Sequence, residues 1–196
     1  TAHAEGPNAV TEDFESGFTL STNVGNHGDW YDNGSGPTVT AGIGVGSPSS
    51  IGLDDSGTIF TWIGQPFNWN DSEFVGANFE MDFQTDCSGG FDDDRIGWMI
   101  ANNTTSSSDI FSVQLDPGGG GQNIEGYWDG PSAADQRPSI VDTPTLGNNA
   151  WYRLHLGVTK LGSTSARVKV ALIELNNDGD PVEVVAVGSI ADTNAL

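Results

Sequence analysis

Hydrophobic and polar residues alternate with a period of two along several stretches of this chain, the pattern of strands with one face buried and the other in water. The clearest stretch is 75–86. Val75, Ala77, Phe79, Met81 and Phe83 fall on one side, and Asn78, Glu80, Asp82, Gln84 and Asp86 on the other. It predicts an antiparallel strand with an acidic wet face. From Ala150 to Thr159, Tyr152, Leu154, Leu156 and Val158 oppose Trp151, Arg153 and His155; from Ala166 to Leu175, Val168, Val170 and Leu172 oppose Arg167 and Lys169. Asn176-Asn177-Asp178-Gly179-Asp180 then reads as a turn and Val182–Ile190 as the returning strand, a hairpin with Asp-Gly chemistry. Shorter strands are predicted at Phe14–Leu20, Thr38–Ile43, Thr58–Trp62, Arg95–Ala101, Ile110–Leu115 and Asn123–Trp128, separated by clusters of Gly, Pro, Asn, Asp and Ser. No useful length of chain carries a helical period. Many short strands punctuated by turns predict an all-β antiparallel sandwich or barrel.

Composition supports a folded chain with a large core. Its 196 residues suit one domain, and 36% of them are hydrophobic, with 6 Trp and 9 Phe. Charge narrows the partners. Six basic residues face 27 acidic ones, a formal net charge of −21, which repels nucleic acid and anionic membranes. Such a surface suits a salty or calcium-rich medium, or serves solubility alone. The lone Cys87 has no internal disulfide partner. No apolar stretch has the length of a membrane span. Thr1-Ala2-His3-Ala4 has the small-residue pattern found at the end of an export signal, and the expectation is a secreted or cell-surface protein.

The run Phe79–Trp98 carries Asp82-Phe83-Gln84-Thr85 and Gly90-Phe91-Asp92-Asp93-Asp94-Arg95-Ile96-Gly97-Trp98, and Trp151-Tyr152-Arg153-Leu154 is followed by an alternating strand, a hairpin and a last strand. In these features the chain resembles laminin-G-like domains of bacterial exported proteins, within the concanavalin A-like lectin/glucanase superfamily. The resemblance runs from about Glu12 to Leu196. It implies a jelly roll of two curved antiparallel sheets over 12–196, with 1–11 as an N-terminal tail or edge strand. Domains of this kind often carry one more strand after the final hairpin, so the resemblance implies either a sandwich that closes differently or an open strand position that a neighbouring copy could fill. Lectins, adhesion domains, hydrolases and lyases all use the fold, and the fold does not choose among them.

The glucanases of that superfamily bear a Glu-x-Asp-x-x-Glu strand, which is absent here. Glu12 and Asp13 are adjacent and fall on opposite faces, and Asp54-Asp55 flank a turn. The superfamily's lyases use an Arg/Gln/His/Tyr set that has no counterpart in the strand pattern. No Gly-x-Ser-x-Gly elbow occurs. The expectation is a protein without catalysis, with a divergent polysaccharide hydrolase or lyase as the remaining enzyme reading.

Asp92, Asp93 and Asp94 follow a Gly-Gly pair, Asp86 stands just before them, and Asp116 ends another predicted strand. These five carboxylates are the candidate calcium ligands; the alternative is a solvated acidic turn. Trp30, Tyr31, Trp69, Tyr127, Trp128 and Asp129 lie in or beside polar stretches, where flat aromatic faces and neighbouring Asp and Asn side chains suit a sugar; the alternative is core packing. Four of the six basic residues, Arg153, Lys160, Arg167 and Lys169, fall in the last third. Arg153, Arg167 and Lys169 share the polar side of adjacent strands, and the acidic side of 75–86 is their expected partner, within the chain or across a contact between copies; an anionic polysaccharide is a third option that the net charge opposes. Two readings follow: a binding or adhesion module for a polysaccharide or cell-surface glycan, with calcium holding the acidic loops, or a structural subunit assembling with copies of itself into a fibre, tube or surface layer.

Overall fold

The computed structural model describes residues 20–21, 30–32, 38–41, 44–45, 51–54, 61–63, 71–85, 96–101, 109–116, 122–129, 135–136, 138–163 and 165–191. Every regular element among them is a strand, and every pairing is antiparallel. The chain divides into two compact units, Thr1–Phe67 and Asn68–Leu196. That boundary falls within the span read above as one domain.

The first unit holds β1 (Trp30–Asp32), β2 (Thr38–Ala41), β3 (Ile51–Asp54) and β4 (Thr61–Ile63). β1 pairs with β4, setting Tyr31 opposite Trp62. β2 pairs with β3, and Val39 between them is fully buried. Ser21, in a turn at positive φ, donates its backbone N–H to the Val39 carbonyl at 2.8 Å. Two strands here were not anticipated. Trp30 and Tyr31, read as lying in or beside a polar stretch, stand on a paired strand, as suits consecutive aromatic residues of high strand preference. Ile51–Asp54 is a strand that its short, glycine-interrupted pattern does not announce. Phe14–Leu20 lies outside the described residues except for Leu20, which sits in the turn with Ser21.

The second unit holds β5 (Gly76–Thr85), β6 (Ile96–Ala101), β7 (Asp109–Asp116), β8 (Asn123–Asp129), β9 (Asp135–Gln136), β10 (Ser139–Asp142), β11 (Ala150–Lys160), β12 (Ala166–Leu175) and β13 (Pro181–Ala191). They form two sheets. One runs β10-β8-β7-β6, with β9 also on β8; the other runs β13-β12-β11-β5. The long alternating stretches of the sequence are the four strands of the second sheet. β9 and β10 are too short to carry a periodic signal.

One apolar core joins the two sheets. Phe83, Tyr152, Leu154, Leu156, Val158, Val168, Val170, Leu172 and Ala186 come from the second sheet, and Val113, Leu115 and Ile124 from the first. Phe79 and Met81 pack against this cluster from β5. Leu154 and Leu172 are fully buried, a gain of about 1.5–3 kcal/mol each over leaving them in water. The sheets meet most closely where β13 passes β10. A Cβ at Gly188 would stand 2.7 Å from Val141 Cβ and 2.8 Å from the Ile140 carbonyl, so only glycine fits.

Local polar contacts fix the strand ends. Ahead of β11, Asn149 takes a left-handed conformation and donates its backbone N–H to the Thr85 carbonyl at 2.8 Å. The Thr85 hydroxyl donates to the Gly147 carbonyl, and Gly147 N–H donates to the Tyr152 hydroxyl, each at 2.9 Å. In the β12–β13 turn, Asn176 Oδ1 accepts the backbone N–H groups of Asp178 and Asp180. Gly179 supplies the positive φ there.

Candidate functional site

The outward face of the β13-β12-β11-β5 sheet carries most of the described charge pairs. Register places its residues in five rows: Pro181–Leu175–Trp151–Gln84, Val184–Ile173–Arg153–Asp82, Val187–Ala171–His155–Glu80, Ser189–Lys169–Gly157–Asn78 and Ala191–Arg167–Thr159–Gly76. Partners in register share one face of the sheet. β5 therefore contributes carboxylates and amides, β11 a guanidinium and an imidazole, β12 cations and then apolar residues, and β13 mainly small and apolar ones.

Arg153 holds Asp82 with both ends of its fork, Nε to Oδ1 at 2.6 Å and Nη2 to Oδ2 at 2.7 Å. The hydrogen bond that the guanidinium donates to Asp82 raises its pKa above the ordinary value; burial opposes this, and the Asp82 and Glu80 charges add to it. His155 Nδ1 lies 2.9 Å from Glu80 Oε1. The expected partnership between the acidic side of 75–86 and the basic residues of the last third is thus made within the chain for Arg153, and His155, which was not among those residues, makes a similar contact. Lys160 turns instead to the Asp71 carbonyl, at 2.8 Å.

Arg167 and Lys169 differ. Both are exposed, their row neighbours are Thr159, Ala191, Gly157 and Ser189, and among the described residues neither has an ion pair. On the neighbouring strand β13 leaves Val182, Val184 and Val187 at 61%, 60% and 65% exposure. The cause is local. β13 has register shifts between its partners Leu172 and Ile173 and between Glu174 and Leu175, leaving Val185 and Val182 as the extra residues. The first bulge returns Val184 to the outward face beside Val187. Val182-Glu183-Val184-Val185-Ala186-Val187 has no clean alternation, and that irregularity is the one trace of the patch in the sequence.

The candidate sugar-binding residues fall in three places. Trp30 and Tyr31 stand on β1. Tyr127, Trp128 and Asp129 close β8, with Tyr127 opposite Ser112 on β7 and Trp128 and Asp129 opposite Gln136 and Asp135 on β9. All are strand residues; the strand expected at Asn123–Trp128 already held Tyr127 and Trp128, whereas none was expected at Trp30 and Tyr31. Trp69 lies outside the described residues, as do Cys87 and four of the candidate calcium ligands, Asp86, Asp92, Asp93 and Asp94.

The fifth, Asp116, ends β7 in register with Asn123, and Asn123 has Asp142 on its other side. This puts three oxygen-bearing side chains in one row. Asn123 Oδ1 is buried without a hydrogen-bond partner, and so is the hydroxyl of the neighbouring Thr143. Two carboxylates around an orphaned amide oxygen are a donor set that fits a hard, oxygen-seeking cation such as calcium. Asn123 and Asp142 were not singled out from the sequence, because only pairing on both sides of β8 brings them to Asp116. Among the described residues no three His, Cys, Asp or Glu side chains gather as a metal-binding group. No described helix is long and apolar enough to cross a membrane. Comparison with protein-family models, curated proteins and solved structures finds no match to this chain.

Proposed function

We propose that this chain is a non-catalytic binding or adhesion module acting outside the cell. In this reading it folds as a concanavalin A-like jelly roll, recognises a polysaccharide or cell-surface glycan, and uses calcium to brace its acidic segments. The observation that carries the reading is the setting of its two aromatic–acidic segments. Trp30-Tyr31-Asp32 and Tyr127-Trp128-Asp129 both lie on hydrogen-bonded strands, Tyr31 opposite Trp62 and Trp128 opposite Gln136. Backbone fixed by a ladder holds a ring more accurately than a free loop does, and a flat ring with a neighbouring carboxylate suits a sugar's apolar face and hydroxyls. The high negative charge directs the choice toward neutral glycans.

Glycan-array and affinity-gel measurements on the intact chain test this reading. Binding to a neutral polysaccharide is expected, with loss in Trp30→Ala or Trp128→Ala while the thermal transition is retained. A chain that binds no polysaccharide, with or without calcium, defeats it. For calcium the row Asp116–Asn123–Asp142 supplies the readout: added calcium is expected to raise the melting temperature, and Asp116→Asn to remove most of that rise.

A further inference from the structure

We propose that the outward face of the β13-β12-β11-β5 sheet is a self-association surface that takes a second copy of this chain about a twofold axis. The proposal stands apart from glycan binding and rests on the order of charge along the β12–β13 hairpin. At one end of β12 are Arg167 and Lys169, exposed and without ion pairs among the described residues. In the middle the β12–β13 half of the outward face is apolar, with Ala171 opposite Val187 and Ile173 opposite Val184, while on the β11–β5 half the same rows carry the internally paired Arg153–Asp82 and His155–Glu80. At the other end the exposed turn carries Asp178 and Asp180. The sequence of the face is cation, apolar, anion.

A surface with that order is complementary to itself when turned end for end. A twofold axis near Ile173 lays the Arg167–Lys169 end of each copy on the Asp178–Asp180 end of the other and brings the exposed valines together at the centre. This is the geometry an isologous dimer requires, in which one patch serves both sides. The β12–β13 hairpin covers roughly 300 Å² in projection and the whole four-strand face roughly 600 Å², below the ~800 Å² per partner of a standard interface and in keeping with a dimer that dissociates on dilution. The two unpaired cations are notable on a chain with a formal net charge of −21, since carboxylates are what the rest of each copy offers most.

Pairing of β13 edge to edge with another copy's strand is the poorer option. Pro181 opens the strand, two bulges interrupt it, and Gly188 is already pressed against β10, all features that blunt an edge. Contact through the face leaves that edge alone. The net charge opposes association at long range, so dimerisation should strengthen as salt rises from very low to moderate levels.

Sedimentation equilibrium on the intact chain tests the proposal. A dimer that dissociates on dilution is expected. Val184→Asp with Val187→Asp should abolish it. R167E/K169E and D178K/D180K should each weaken it at least tenfold alone, while an equimolar mixture of the two restores it as a heterodimer, because each altered end then meets its opposite. All these positions are exposed, and the thermal transition of each variant reports folding. Should the valine variant not fold, the charge-exchange pair alone decides. A monomer at every concentration and salt level, a dimer indifferent to these changes, or a mixture that fails to associate overturns the proposal. So does a monomer that retains a polyuronate through Arg167 and Lys169, which would make the cations a polyanion site.

Discussion

Arg153 on β11 and Asp82 on β5, 71 residues apart in sequence, meet in a two-point ion pair on the outward face of the second sheet, at 2.6 and 2.7 Å. The side chains keep 28% and 22% exposure, so water screens part of the attraction. A double-mutant cycle with Arg153→Ala and Asp82→Ala, read by denaturant unfolding, should give a coupling of about 1 kcal/mol, at the upper end for exposed pairs because the contact is bidentate. Arg153→Lys should lose most of it, since an ammonium cannot reproduce the fork. The sign of the pH effect follows from the raised guanidinium pKa. Stability from a raised group is fully present below its unfolded value and is lost only as pH climbs through the folded one, here above the ordinary guanidinium range. The guanidinium's part in the pair should therefore stay constant from neutral to mildly alkaline pH, and a decline over that range would mean that another group controls it.

Gly188 is where β13 passes closest to β10. Gly188→Val drives a branched side chain into Val141 and the Ile140 carbonyl. Backbone cannot yield as a flexible side-chain tip does, so a cost of about 1–3 kcal/mol is expected in chemical denaturation. Ser189→Val, one residue on and exposed, is the control and should change stability by no more than about 0.5 kcal/mol. Equal effects at the two positions would mean that the seam between the sheets is not packed at Gly188.

Tyr152 is buried at 3% exposure, with its ring centroid 6.0 Å from that of Phe83 and its hydroxyl accepting the Gly147 N–H. Removing the hydroxyl and removing the ring should differ widely. In Tyr152→Phe, water can replace the lost partner because Gly147 is exposed, and the expected cost is about 0.5–1.5 kcal/mol. Tyr152→Ala opens a cavity in the core and should cost about 3–5 kcal/mol. Thermal unfolding of the two variants side by side checks the order.

The long strands were legible because each carries its own alternation. Phe79-Met81-Phe83, Tyr152-Leu154-Leu156-Val158 and Val168-Val170-Leu172 each mark a buried face within about ten residues, and all pack on or within the core. The Asp-Gly turn was legible for a similar reason, since Asn176 and Gly179 act on groups no more than four residues away. β3, β9 and β10, at two to four residues, are too short for a period to develop. Tyr127-Trp128 fell within the strand expected at Asn123–Trp128, whereas Trp30-Tyr31, among polar neighbours, lies on a three-residue strand too short for a period to show.

By itself, then, the sequence determined the class of element, the inward face of each long strand and the anionic character of the whole, since these depend only on residue type and near spacing. Tertiary structure decided which strands became neighbours. β11 lies between β5 and β12, which gives Arg153 to Asp82; β8 lies between β7 and β10, which sets Asn123 between Asp116 and Asp142. It also decided which way the valines of β13 face, because two bulges reset the alternation there. The physical reason is that alternation is a property of one strand, whereas register is settled by burying both faces of a core together, through contacts between residues far apart in the chain.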